Sequence, residues 1–109
     1  ELAVVAYGSS RWAVEEARER LLADGVKTSS LRIQAYPFTA EVEAFLARHE
    51  RIYVVEQNRD GQMAALLRME YPERAARLRS VLHYDGLPLA ASTVVEKIRS
   101  GEREEVEVR

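Results

Sequence analysis

The chain alternates short apolar runs with segments of helical hydrophobic spacing. Residues 2–7 and 52–55 are almost wholly apolar, which is the pattern of strands buried on both faces. Residues 30–34 alternate apolar and polar side chains, which predicts a strand with one exposed face near a sheet edge. Residues 80–83 form a fourth strand-like segment that ends before the turn residues Asp85 and Gly86. The pattern therefore predicts four strands.

Helical spacing fills the intervals between these strands. Apolar residues recur at this spacing in four segments, which predicts helices over residues 13–23, 40–49, 61–71 and 92–100. Ser9 and Ser10 are predicted to cap the first helix. Pro72 suits the first position of a further short helix through Leu78. Gly101 is predicted to stop the last helix.

Strands that alternate with helices indicate a parallel sheet with right-handed crossovers. The predicted fold is α/β, a three-layer α/β/α sandwich with a mainly parallel sheet of about four strands. The half-polar second strand suits an outer position, which gives the strand order 2-1-3-4. A chain of 109 residues is long enough for one domain. We expect that domain to span residues 1–101 and residues 102–109 to form a charged C-terminal tail.

Polar residues follow the first and third strands, between which the predicted winding direction reverses. Ligands of open α/β sheets favour the crevice at this point. The candidate crevice or interface residues are Gly8, Ser9, Ser10, Glu56, Gln57, Asn58, Gly61 and Gln62. The commoner explanation of the serines is a capped helix start with interdomain hydrogen bonds. Gln57, Asn58 and Gln62 carry neutral amides, which are suited to hydrogen bonding rather than to chemistry. These three residues therefore indicate an interface or a locked loop.

Glu56 and His83 are the candidates for acid–base chemistry. Glu56 is an acidic residue at the end of an apolar strand, and we expect it to bond loop amides or a neighbouring domain rather than to act as a catalyst. His83 stands two residues before Asp85. Residues at this spacing share a strand face without normally bonding, so Asp85-Gly86 is interpreted as a plain turn.

Composition excludes several classes of site. The net charge of −2 gives no reason to expect nucleic acid, and no apolar run approaches the length of a membrane span. The chain has no cysteine, so it cannot itself hold a cysteine-ligated iron–sulfur cluster. Two histidines alone cannot form a conventional zinc site. We expect a cytoplasmic protein, and the start at Glu1 directly before a strand indicates a fragment of a longer chain.

Three stretches of the sequence resemble one enzyme family. Residues 54–62 read Val-Val-Glu-Gln-Asn-Arg-Asp-Gly-Gln and match a "VVEQN-x-x-GQ" signature of the α subunits of 2-oxoacid:ferredoxin oxidoreductases. Residues 31–38 and 82–88 extend the match. The likeness covers approximately residues 2–98 and looks closest to the 2-oxoglutarate type.

This resemblance implies a transketolase C-terminal-like domain that follows the thiamine-diphosphate domain of the α subunit. It implies a parent complex that uses thiamine diphosphate, magnesium and an iron–sulfur cluster, with coenzyme A as a substrate. The implied partners are the preceding domains of the same α subunit, the β subunit and, through the complex, ferredoxin. In the family the thiamine contacts come from the preceding domain and the β subunit, and the cluster comes from the β subunit. No catalytic, cofactor-binding or metal-binding role is therefore carried over to any residue here. The resemblance also implies an additional antiparallel strand, without which the second strand has an open edge.

Three functions remain open at this point. The first is a non-catalytic structural and interface domain of such an α subunit, inactive in isolation. The second is a stand-alone small-ligand or nucleotide-binding module that uses the crevice at the strand carboxyl ends. The third is a small enzyme built around Glu56 and His83. The dense amide cluster and the lack of a nucleophile favour the first.

Overall fold

A computed structural model describes the backbone of residues 1–108 and the side chains of residues 1–105. Arg109, the last residue of the predicted tail, lies outside the described residues. The four strands are β1 (Leu2–Tyr7), β2 (Thr28–Ile33), β3 (Ile52–Glu56) and β4 (Leu78–Leu82). The four α-helices are α1 (Arg11–Ala23), α2 (Ala40–Arg48), α3 (Gln62–Glu70) and α4 (Ala91–Val108). Short 3₁₀ helices span Gly8–Ser10 and Pro72–Arg77.

The sheet confirms the predicted topology. Its order is β2-β1-β3-β4, and every neighbouring pair of strands is parallel. Because the strands are parallel, all of their carboxyl ends lie at one edge, which we call the carboxyl edge. The two continuous apolar runs, β1 and β3, are the inner strands, as expected for strands that are covered on both faces.

Two hydrophobic cores separate the layers of the sandwich. The first contains residues of α2 and α3 packed on the β-sheet face that carries Val5 and Val54. The second contains residues of α1 and α4 packed on the opposite face, which carries Val4 and Val55. Adjacent strand residues thus enter different cores, as the two-residue repeat of a strand requires. The predicted three-layer α/β/α architecture is confirmed.

The expected end of the last helix at Gly101 is wrong, because α4 continues through this residue to Val108. A β-carbon at Gly101 would lie 2.7 Å from the hydroxyl oxygen of the buried Tyr53. Glycine is therefore needed here so that the helix can approach the tyrosine ring, and not to end the helix.

The part of α4 beyond Gly101 is held against the sheet by polar contacts. The Tyr53 hydroxyl donates to Glu102 Oε2 over 2.6 Å, and Arg51 pairs with the other oxygen of Glu102 over 3.1 Å. Arg79 of β4 forms an ion pair with Glu105. The first residues of the predicted tail are thus helical and bound to β3 and β4.

Candidate functional site

The predicted crevice lies where β1 and β3 end side by side. The first lip is the 3₁₀ turn Gly8–Ser10, which leads directly into α1, and the second lip is the loop that connects Glu56 to α3. The structure therefore brings together the two groups of polar residues that the sequence pattern indicated. Glu56, Ser10 and Gly61 are buried, whereas Gly8, Ser9, Gln57 and Gln62 are exposed.

Glu56 is fully buried, and its carboxylate closes the amino end of α3. Oε1 accepts hydrogen bonds from the Met63 amide over 2.6 Å and from Asn58 Nδ2 over 2.9 Å. Oε2 accepts from the Ala64 amide over 3.0 Å. These amides belong to the first turn of a helix, where backbone N–H groups have no partner within the helix and the dipole favours negative charge. Glu56 was expected to bond loop amides or a neighbouring domain; it bonds the Asn58 side chain of the loop and two backbone amides of α3, and its side chain is fully buried within this domain.

Asn58 locks the same loop from the other side. Its Oδ1 accepts from the Gly61 amide over 2.7 Å and from the Gln62 amide over 3.3 Å. Gly61 has a left-handed conformation with φ of 60°, which an L side chain rarely adopts. Its position is also enclosed, because a β-carbon there would contact Ser80, Leu82 and Glu56. The Glu-Gln-Asn-x-x-Gly-Gln signature is therefore a self-contained turn from strand to helix.

The two lips are joined by a direct contact, in which Gln57 Nε2 donates to Ser9 Oγ over 2.7 Å. This bond crosses the crevice between the ends of β1 and β3. The Gln57 side chain of the second lip is thus already hydrogen-bonded within the domain.

Ser10 does not cap α1, contrary to the sequence-based expectation. Its backbone is helical, with φ of −69° and ψ of −12°, and no side-chain capping bond is formed. Capping requires an extended residue, and the 3₁₀ turn places that conformation at Tyr7 instead. Among the residues that the structure describes, the buried Ser10 hydroxyl has no hydrogen-bond partner, and Ser9 accepts the bond from Gln57.

His83 and Asp85 organise the loop after β4. Nε2 of His83 lies 2.6 Å from the Leu87 carbonyl oxygen and 3.1 Å from Asp85 Oδ1, so the expectation that the two side chains do not meet is wrong. The loop bends because Gly86 has a positive φ and Asp85 accepts from the Leu87 amide, which brings Asp85 and Leu87 back to the imidazole. The Glu56 carboxylate bonds α3 while the imidazole bonds its own loop, so the two groups proposed for a small enzyme share no hydrogen bond.

Large apolar side chains are exposed along the carboxyl edge. Tyr7 ends β1, Trp12 stands in the first turn of α1, and Tyr84 and Leu87 lie in the loop after β4. We call these four residues the aromatic rim. Trp12 is the most exposed of them at 75%, and the Arg11 guanidinium lies 5.0 Å from its ring centroid. The sequence pattern did not single out Tyr7, Tyr84 or Leu87, because a large apolar residue at the end of a strand or shortly after it is equally typical of the core.

The described part of the chain offers neither a metal centre nor a membrane-spanning helix. Within residues 1–105, no three acidic or histidine side chains converge as they would around a metal ion. None of the four α-helices in the described part of the chain combines the length and the apolarity needed to span a membrane.

The chain is similar to known proteins of the 2-oxoacid:ferredoxin oxidoreductases. No protein-family model matches the chain. The α subunit of 2-oxoacid:ferredoxin oxidoreductase 2 from Aeropyrum pernix is 32% identical over 100 residues, which are 90% of this chain and 15% of that protein. A solved 2-oxoglutarate:ferredoxin oxidoreductase from Magnetococcus marinus, with 2-oxoglutarate, coenzyme A and succinyl-CoA bound, superposes with a TM-score of 0.78 at 25% identity. The match covers 92% of this chain and 17% of that one.

A second solved structure shares the fold. The α chain of a probable 2-oxoacid ferredoxin oxidoreductase from Thermoplasma acidophilum superposes with a TM-score of 0.58 at 21% identity, over 91% of this chain and 85% of that one. The chain spans only about one sixth of the length of the first two relatives. By sequence and by fold, the chain belongs with the α subunits of the 2-oxoacid:ferredoxin oxidoreductases and corresponds to one domain of such a subunit.

Proposed function

We propose that the chain is a non-catalytic structural and interface domain of a 2-oxoacid:ferredoxin oxidoreductase α subunit. The complex that contains it converts a 2-oxoacid and coenzyme A to acyl-CoA and carbon dioxide, and the electrons released reduce ferredoxin, in the cytoplasm. We further propose 2-oxoglutarate as the oxoacid. The Magnetococcus marinus relative, whose description names that substrate, supports this choice through its high structural similarity over nearly the whole chain.

The observation that carries the proposal is the full internal use of Glu56. Both carboxylate oxygens bond groups of the same loop and helix, at distances of 2.6–3.0 Å. A general acid or base must reach the proton that it transfers, and a carboxylate with 0% exposure reaches only its own amides. The strongest candidate for chemistry in this chain therefore has a structural role.

Glu56 and Asn58 do not fit the cofactors of the implied complex. A magnesium-bound diphosphate needs free carboxylate or amide oxygens as metal ligands, and Glu56 and Asn58 use theirs on backbone amides. An iron–sulfur cluster needs thiolates, and the sequence has no cysteine. The cofactors thus belong to other parts of the complex, and the partners of this domain are the neighbouring domains of the α subunit and the β subunit.

The aromatic rim provides the surface for such contacts. Tyrosine and tryptophan are enriched at the buried centres of protein interfaces, where a few large anchors carry most of the binding free energy. Tyr7, Trp12, Tyr84 and Leu87 are each 39–75% exposed and share one edge of the sheet. We propose that this edge is buried against the rest of the α subunit or the β subunit.

The alternative function is a stand-alone module that binds a small ligand or nucleotide in the switch crevice. Its supporting observation is the placement of Gly8 and the start of α1 at the usual ligand position of an α/β sheet. The Gln57–Ser9 bond, which a ligand between the lips would have to displace, weighs against it.

The two functions are separated by substituting Trp12 in an α subunit that contains this domain. Trp12→Ala should weaken assembly with the β subunit, or lower the 2-oxoacid-dependent reduction of ferredoxin, because truncating an interface anchor costs ~2 kcal/mol or more. The matched control is Leu22→Ala, which removes an exposed apolar side chain from the other end of the same helix and should leave both properties unchanged.

Three outcomes would contradict the proposal. One is normal assembly and turnover of the Trp12 variant. A second is oxidation of a 2-oxoacid by the isolated chain. The third is calorimetric binding of thiamine diphosphate or of a nucleotide by the isolated chain, which would favour the crevice instead.

A further inference from the structure

The two outer strands each direct one row of backbone groups away from the sheet. The Leu2 amide donates to the Lys27 carbonyl over 3.2 Å, so Lys27 faces β1 and alternate residues of β2 face outward, namely Thr28, Ser30 and Arg32. The His83 amide donates to the Glu56 carbonyl over 3.0 Å, so His83 faces β3. By the same alternation the outward residues of β4 are Leu78, Ser80 and Leu82.

Basic side chains from the flanking helices occupy two of the three outward carbonyls of β4. Arg68 of α3 donates to the Leu78 carbonyl over 3.3 Å. Lys97 of α4 donates to the Leu82 carbonyl. The two helices lie on opposite faces of the sheet, so the edge of β4 is approached from both sides and is occupied at both ends.

A third basic side chain occupies the start of the β2 edge. Arg18 of α1 donates through one nitrogen to the Thr28 carbonyl over 3.0 Å, and through two others to the hydroxyl groups of Thr28 and Ser30 over 2.9 and 3.0 Å. Glu15 pairs with the same guanidinium over 2.9 Å, which fixes its position. The outward groups of Arg32 lie beyond the reach of these contacts.

We propose that Arg68 and Lys97 close the β4 edge of the sheet against the addition of a further strand. An unpaired edge is a template for pairing with another chain, and charged side chains on it oppose that pairing. A strand that added to β4 would have to displace the donors at Leu78 and Leu82. The added strand would also bury the cationic groups of Arg68 and Lys97 against its own backbone, where water no longer solvates them. The β4 edge is thereby blocked at both ends, whereas the β2 edge is occupied only at its start.

The proposal is tested with an Arg68→Ala/Lys97→Ala double variant of this chain. Sedimentation equilibrium across a micromolar-to-millimolar concentration series should show a weight-average mass that rises above that of the parent chain toward a dimer. The matched control is Lys27→Ala/Arg103→Ala, which removes the same number of cations from exposed positions and should follow the parent curve.

A third substitution locates the association. The Ser80 amide faces outward, so Ser80→Pro removes an edge donor without removing a ladder bond. Added to the double variant, it should return the mass to that of the parent. Lys97→Ala alone alters only an exposed side chain and should give an intermediate rise, which keeps the test valid if the double variant fails to fold. A parent-like mass for both the double and the single variant, or association that persists after Ser80→Pro, would overturn the proposal.

Discussion

Glu56→Gln tests the structural role of the buried carboxylate with a nearly isosteric change. The carboxylate accepts three hydrogen bonds, whereas a glutamine amide offers one acceptor oxygen and one NH₂ donor. The least harmful orientation keeps the oxygen toward the Met63 amide and Asn58. The NH₂ group then faces the Ala64 amide, where 3.0 Å now separates two donors.

The cost follows from the bonds and the charge that are lost. A hydrogen bond to a charged group contributes ~1.5–3 kcal/mol, and a buried donor left unpaired costs ~1–3 kcal/mol. The interaction of the negative charge with the α3 dipole is also lost, and such interactions reach ~2 kcal/mol in partly buried sites. Because these terms overlap, we expect Glu56→Gln to lower the free energy of unfolding by ~2–4 kcal/mol. That is a large part of the ~5–15 kcal/mol typical of a whole domain.

Urea denaturation of the isolated chain measures this loss, with Gln57→Ala as the matched control. Gln57 is the next residue and is exposed, and within the described residues its side chain bonds only the exposed Ser9, so its substitution should change stability by less than ~0.5 kcal/mol. A Glu56→Gln variant that unfolds at the same urea concentration as the Gln57→Ala variant would refute the structural role. If the Glu56→Gln variant kept its stability but failed to assemble with a β subunit, Glu56 would have to be an interface residue.

Gly101→Ala should lower the free energy of unfolding, because overpacking against Tyr53 costs ~1–3 kcal/mol and outweighs the helix preference for alanine over glycine of ~1 kcal/mol. Urea denaturation should show a smaller loss when the same substitution is made in a Tyr53→Phe background. An equal loss in both backgrounds would contradict the contact between Gly101 and the Tyr53 hydroxyl. Burial and the hydrogen bond to Glu102 raise the pKa of Tyr53, so its stabilising effect is complete below the unfolded-state pKa of about 10 and is lost as pH rises through the folded-state pKa. Above a pH of about 10, the free energy of unfolding should therefore fall less steeply with pH in Tyr53→Phe than in the parent. Identical slopes would show that ionisation of the Tyr53 phenol is not linked to folding. In hydrogen exchange, the outward amides of Ser30 and Arg32 should exchange faster than those of β1 and β3, since they face no strand; equal protection in a monomer would show that the β2 edge is covered.

The arrangement of strands was readable from the sequence alone. Continuous apolar runs in β1 and β3 and alternation in β2 reported how many faces of each strand are covered, and that is sufficient to place inner and outer strands. The start of α3 at Gly61 or Gln62 was equally local, because a polar loop that ends in a glycine before a helical pattern indicates a turn from strand to helix. The placement of both polar groups at one edge followed from parallel strands without any knowledge of side-chain contacts.

The roles of individual polar and glycine residues were decided only by the tertiary structure. A serine before a helix predicts a cap, but the 3₁₀ turn gave Ser10 a helical backbone, and its hydroxyl found no partner. Glycine after a helical pattern predicts a stop, but Tyr53, nearly fifty residues earlier in the chain, occupies the space of a side chain at Gly101. Hydrophobic periodicity is a local record of burial, so it survives in the sequence. The partner of a polar atom, or the atom that fills the space beside a glycine, comes from distant chain and exists only after the layers have packed.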